Sequence, residues 1–138
     1  MLVHLPIGLL IGNAIFTAIA LRRDTPAYEQ TAFHCLWLGL LLTLPAVLSG
    51  AWEAARQIFG SLAPRQDAVG WVNAHAIAGL AMCGCYWHAW QLRRRNPGIL
   101  RDPALRRGYL AAIGGGAALL VASGWLGGEL VYRLKLGM

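Results

Sequence analysis

Four long apolar stretches separated by three polar ones dominate the chain. They run from about Leu2 to Leu21, Ala32 to Ser49, Trp71 to Leu92 and Gly108 to Leu126. A helix of about 20 residues spans the roughly 30 Å hydrocarbon core of a bilayer. In lipid the backbone must satisfy its own hydrogen bonds, so each stretch predicts a membrane-spanning helix. The expected fold class is all-α: a single integral-membrane four-helix bundle over residues 1–138, with both termini on one side. The first stretch has no basic segment before it, and Arg22 and Arg23 follow it. It is therefore read as a retained first helix rather than a cleaved signal peptide.

The connectors differ in character. Arg22 to Thr31 is short and polar, with Pro26 as a breaker. Gly50 to Gly70 is longer, and its part Ala51 to Phe59 reads as a short interfacial helix. Arg93 to Arg107 is arginine-rich and holds Pro97, Gly98 and Pro103. Pro45 should bend the second helix, and Gly114, Gly115 and Gly116 with Ala117 and Ala118 should let the fourth approach a neighbour closely. Trp52, Trp71, Trp87, Trp90, Trp125 and Tyr132 lie near span ends, as an aromatic belt requires.

Composition agrees with this picture. Apolar residues make up 57% of the chain and charged residues 13%, about half the charge content of a soluble domain. The formal net charge is +6, but its clustering between apolar runs marks membrane topology rather than nucleic-acid binding. The first and third connectors hold Arg22, Arg23, Arg93, Arg94, Arg95, Arg101, Arg106 and Arg107, against Arg56, Arg65, Arg133 and Lys135 on the opposite side. That excess predicts cytoplasmic first and third connectors and periplasmic termini, in the bacterial inner membrane.

Cys35, Cys83 and Cys85 all lie in apolar runs and read as small hydrophobes. No Cys-x-x-Cys-His motif is present, which argues against covalent haem. Cys83 and Cys85, two residues apart on a helix, point away from each other and cannot grip one ion.

The histidines carry the candidate chemistry. His4, His34, His75 and His88 all fall inside the predicted spans, where polar groups are costly and default to function. Helix direction sorts them by depth into an outer pair, His4 with His75, and an inner pair, His34 with His88. Paired imidazoles from facing helices are axial ligands for haem b. His75 and His88 are about 20 Å apart along the axis, but thirteen residues leave them about 140° apart around it, so the outer pair ranks above the inner. Arg56 and Arg65 are candidate partners for haem propionates, although a solvated loop is their simpler reading. Glu53 reads as an interfacial anchor.

Four segments stand out: Val3-His4-Leu5-Pro6-Ile7 at the opening, Leu48-Ser49-Gly50-Ala51-Trp52-Glu53 after the second span, His75-Ala76-Ile77-Ala78-Gly79-Leu80 in the third, and Gly127-Gly128-Glu129-Leu130-Val131-Tyr132 at the close. Together they resemble the bacterial membrane family called domain of unknown function 2231. The resemblance covers essentially the whole chain. It implies four membrane helices and carries His4 and His75 onto family histidines. Some members are fused to or encoded beside c-type cytochrome domains, which implies redox work at the outer face.

The expected function is a membrane-embedded haem b protein, with one or two haems, acting as an electron carrier or redox-complex subunit rather than a stand-alone enzyme. Copper between the same imidazoles is a second possible occupant. The expected partners are the lipid bilayer and a quinol, a periplasmic c-type cytochrome or a larger membrane redox complex. The alternative is a non-redox accessory or scaffold subunit, in which the histidines serve as interhelical hydrogen-bonders.

Overall fold

The computed structural model describes residues 3–59 and 66–135. Four helices follow in order: α1 (His4–Arg23), α2 (Pro26–Phe59), α3 (Gln66–Arg95) and α4 (Pro103–Gly128), closed by a π-helical turn over Glu129–Arg133. All four are long and apolar enough to cross a membrane, so the all-helical bundle expected from the apolar pattern is observed.

The helices run past the apolar stretches because backbone hydrogen bonding does not stop where hydrophobicity does. Pro26 opens α2 instead of interrupting a connector, since proline suits the first helical position, where an N–H would be unsatisfied anyway. Ala51 to Phe59 is not a separate interfacial helix: α2 passes through Pro45 and continues unbroken to Phe59. At the start of α4 the Asp102 carboxylate accepts from Ala104 N at 2.9 Å and Leu105 N at 3.4 Å, with Pro103 next in line. Together these form a strong helix start.

The bundle is a square of antiparallel neighbours. α1 packs against α2 and α3 against α4 along most of their lengths. The two hairpins meet more sparingly, through α2 with α3 and α1 with α4, and neither diagonal pair makes contact among the described residues. Two glycines set the close approaches within hairpins. A Cβ on Gly39 would sit 2.8 Å from Leu10 Cδ2, and one on Gly116 would sit 2.9 Å from Tyr86 Cε2. Of the glycine run in α4, Gly116 is thus the position that needs to be small, while Gly114 faces open space.

Burial concentrates toward the arginine-rich end. Leu36, Tyr86, Ala89, Ile99 and Tyr109 are essentially inaccessible. Ile99 and Leu100 belong to the α3–α4 connector, which turns through bonds from Ile99 N to Asn96 O and from Arg101 N to Gly98 O. The turn tucks both apolar side chains beneath the bundle, so this connector is a plug as well as a carrier of charge.

Candidate functional site

Two sets of polar groups sit inside this apolar frame, one at each end. At the end bearing the termini, His75 is held by α4. Its Nδ1 lies 2.9 Å from the Ser123 carbonyl oxygen and 3.3 Å from the Ser123 hydroxyl. A carbonyl oxygen only accepts, so Nδ1 carries the proton and donates it. In a neutral imidazole this leaves Nε2 with the lone pair. The ring lies against Gly127, where a Cβ would come within 3.2 Å of His75 Cε1. Side chain, backbone carbonyl and glycine together fix both tautomer and ring orientation, as outer partners do for ligating histidines in metal sites.

The remaining surroundings of His75 come from α3, α4 and the terminal turn. Trp71 meets Trp125 edge-on, with ring centroids 6.2 Å apart. The Arg133 guanidinium lies 5.7 Å from the Trp71 ring centre and 3.5 Å from Glu129. The closing Gly127–Tyr132 segment therefore makes the junction between α4 and the π turn. Such turns occur frequently at functional sites.

The other sequence candidates are less enclosed. His4 begins α1 at the same end and is exposed. Its helix is diagonal to α3 and makes no contact with it among the described residues, so no shared seam brings His4 and His75 together. His34 and His88 are both exposed, on α2 and α3. The structure thus anchors one of the four imidazoles against a neighbouring helix. Arg56 is exposed and pairs with Glu53 at 3.9 Å within α2, while Arg65 lies outside the described residues. Among the described residues no three His, Cys, Asp or Glu side chains converge as a metal cluster.

The second polar set, near the arginine-rich end, draws on all four helices. Asn13 of α1 is fully buried, and its Nδ2 donates to the Ala32 carbonyl of α2 at 2.9 Å. Thr17, one turn along α1, is also buried, and Tyr109 of α4 lies beside both residues and near Glu29 and Arg93. Arg93 Nη2 of α3 reaches Glu29 Oε1 of α2 at 3.1 Å, with both side chains only 12% exposed. Arg93 also donates to Asn96 O at 3.3 Å and lies over Phe33 at 5.7 Å. Asn13 Oδ1 and Thr17 Oγ1 are buried, and beyond Tyr109 beside them no hydrogen-bond partner is found among the described residues.

Sequence reasoning missed this set. Asn13 and Thr17 are four residues apart and so share a helix face, which was the available signal. Glu29 is the only acid in the first apolar hairpin's second helix before Glu53. Its facing arginine, one of three in a row, could not be singled out without the helix order.

With the geometry in place, comparison with known proteins decides the family. A family model described as "Predicted membrane protein (DUF2231)" matches residues 1–138. The chain belongs to this family. No curated protein and no solved structure gives a match. Membership establishes a membrane protein; the ring anchored at Ser123 and the polar set around Asn13 are features of this DUF2231 chain itself.

Proposed function

We propose that this DUF2231 protein is a membrane-embedded haem b-binding electron-transfer protein or redox-complex subunit, with His75 as one axial ligand and His4 as the other. The observation that supports it is the bond from His75 Nδ1 to the Ser123 carbonyl, which presents Nε2 as a ready ligand nitrogen. The residues present fit the group in two further respects. His4 begins α1 at the same end of the bundle as His75, and the missing Cβ at Gly127 leaves the imidazole room. Haem, when bound, supplies one-electron chemistry. The chain's part is to orient the imidazole, exclude water and set the polarity around it. His34 and His88 have no anchoring bond among the described residues, and the proposal is confined to the end that holds His75.

The arginine excess supports an orientation with the arginine-rich connectors in the cytoplasm and the His75 end facing the periplasm of a bacterial inner membrane. A quinol or a periplasmic c-type cytochrome is then the natural electron partner. Copper held by the same imidazoles is the competing occupant.

A reduced-minus-oxidised absorption spectrum of the purified protein tests the reading. A b-type signal that His75→Ala and His4→Ala each abolish, in protein that still folds, supports it. A colourless folded protein after expression with haem supply overturns it. The accessory-subunit reading has its own support: α3 is the least buried of the four helices and exposes Ile77, Leu80 and Trp87 along its length. Copurification of a larger complex with colourless protein favours that alternative.

A further inference from the structure

A cavity of about 650 Å³ opens at the arginine-rich end, between the start of α2 and the α3–α4 connector. One wall, with Glu29, Gln30 and Phe33, belongs to the first hairpin, and the other, with Arg93, Arg94 and Arg101, belongs to the second. The volume is in the range of a ligand site.

The charges on these walls are unequal in their commitments. Arg93 is paired with Glu29. Arg101 reaches Asp24 only at 3.7 Å, and both of those side chains are largely exposed, a pairing weak enough to give way. Arg94 stacks over Trp90 at 5.2 Å and has no carboxylate partner among the described residues. Three arginines against one glutamate leave the cavity with a surplus of positive charge beside an apolar floor of Phe33, Pro26 and Pro97.

We propose that this cavity binds the headgroup of an anionic phospholipid, with Arg94 and Arg101 holding the phosphate. Guanidinium groups match phosphate oxygens with paired, charge-assisted hydrogen bonds. A basic pocket between membrane helices at their ends is where such headgroups are taken. The size and apolar floor favour a lipid over free phosphate, which would fill little of the space. Trp90 lies under Arg94 and meets Trp87 at a tilt, with centroids 4.8 Å apart, aromatic rings of the kind that sit at headgroup level. The phosphate is thus held from the second hairpin, while Pro26, Gln30 and Phe33 of the first line the opposite wall.

The test is thermal unfolding of the detergent-purified full chain with phosphatidylglycerol, phosphatidylcholine or sodium phosphate added. Phosphatidylglycerol is expected to raise the midpoint, and the two other additions are not. The double variant R94Q/R101Q is expected to bind phosphatidylglycerol about a hundredfold more weakly, taking about tenfold per charged hydrogen-bonding group. The control R107Q, at an exposed arginine outside the cavity, keeps the full increment. Equal shifts with phosphatidylcholine, a shift with inorganic phosphate alone, or an undiminished increment in R94Q/R101Q would each overturn the proposal. If the double variant does not fold, native mass spectrometry of the wild-type chain decides. Retention of phosphatidylglycerol at one per chain in preference to phosphatidylcholine supports the site, and no preference sinks it.

Discussion

The arginine-rich end of the bundle is tied across helices, whereas the histidine end is tied within one hairpin. At the first, Arg93 to Glu29 joins α3 to α2, Asn13 to Ala32 joins α1 to α2, and Tyr109 brings α4 into the same cluster. Ile99 and Leu100 close it from below. At the second, the polar contact from His75 to Ser123 stays between α3 and α4. One end is built as a clamp and the other as a seat. The lesson is that polar groups inside a membrane bundle divide into those that hold helices together and those that present an atom. The difference is read from how many helices a connected set of contacts joins: four around Asn13, Tyr109, Glu29 and Arg93, and two at His75.

The sharpest way to break this contrast is to remove one partner of the buried pair. Glu29→Ala leaves Arg93 with an uncompensated charge and is expected to cost about 3 kcal/mol of stability, at the low end for breaking a buried pair. Unfolding in mixed detergent measures it. Glu29→Leu combined with Arg93→Leu should recover much of that loss, since paired apolar residues avoid the stranded charge.

Next in size is Gly116→Val. Its Cβ would fall within 2.9 Å of Tyr86 Cε2, a ring with no exposed surface to move into. Overpacking of this kind costs about 2 kcal/mol. The same change at Gly114, where nothing lies within 4 Å, is expected to be nearly silent. A large penalty at Gly114 instead would refute the helix rotation described for α4.

Asn13→Ala removes the bond to Ala32 and should destabilise by about 1 kcal/mol. The smallest expected structural effect is at the other end. His75→Ala should cost about 1 kcal/mol or less, with unfolding close to that of the parent, while abolishing any absorption signal due to bound haem. If it unfolds the protein as readily as Glu29→Ala does, the seat is a clamp after all and the contrast fails.

Much of the frame was legible in the amino-acid order because lipid enforces it. Apolar runs of spanning length must become helices, and the number of runs sets an up-down square. The fourth apolar run reads from about Gly108, whereas the Asp102 cap and Pro103 start α4 five residues earlier, a signal that hydropathy does not carry. What stayed hidden depends on neighbours. Pro26 reads as a breaker, yet it begins α2, since a proline's effect depends on whether its missing N–H was needed; Pro45, read as lying within the second helix, does lie inside it. Ile99 and Leu100 are concealed among arginines, and their burial follows from a turn that returns them under the bundle. Depth sorted His4 with His75, but depth does not say which helices touch. Neighbour order put the two on opposite corners, and rotation gave His75 a partner on α4 that spacing along α3 does not reveal.

The unbroken run of α2 has a mechanical consequence. Its 34 residues amount to about 51 Å of helix, while the hydrocarbon slab takes up only about 30 Å. Tilt absorbs part of such a surplus, and the remainder extends beyond the hydrocarbon as a stiff spar. Trp52, Glu53 and Arg56 ride on that spar, so a push or pull on them is transmitted as leverage on the first hairpin instead of being lost in a slack tether.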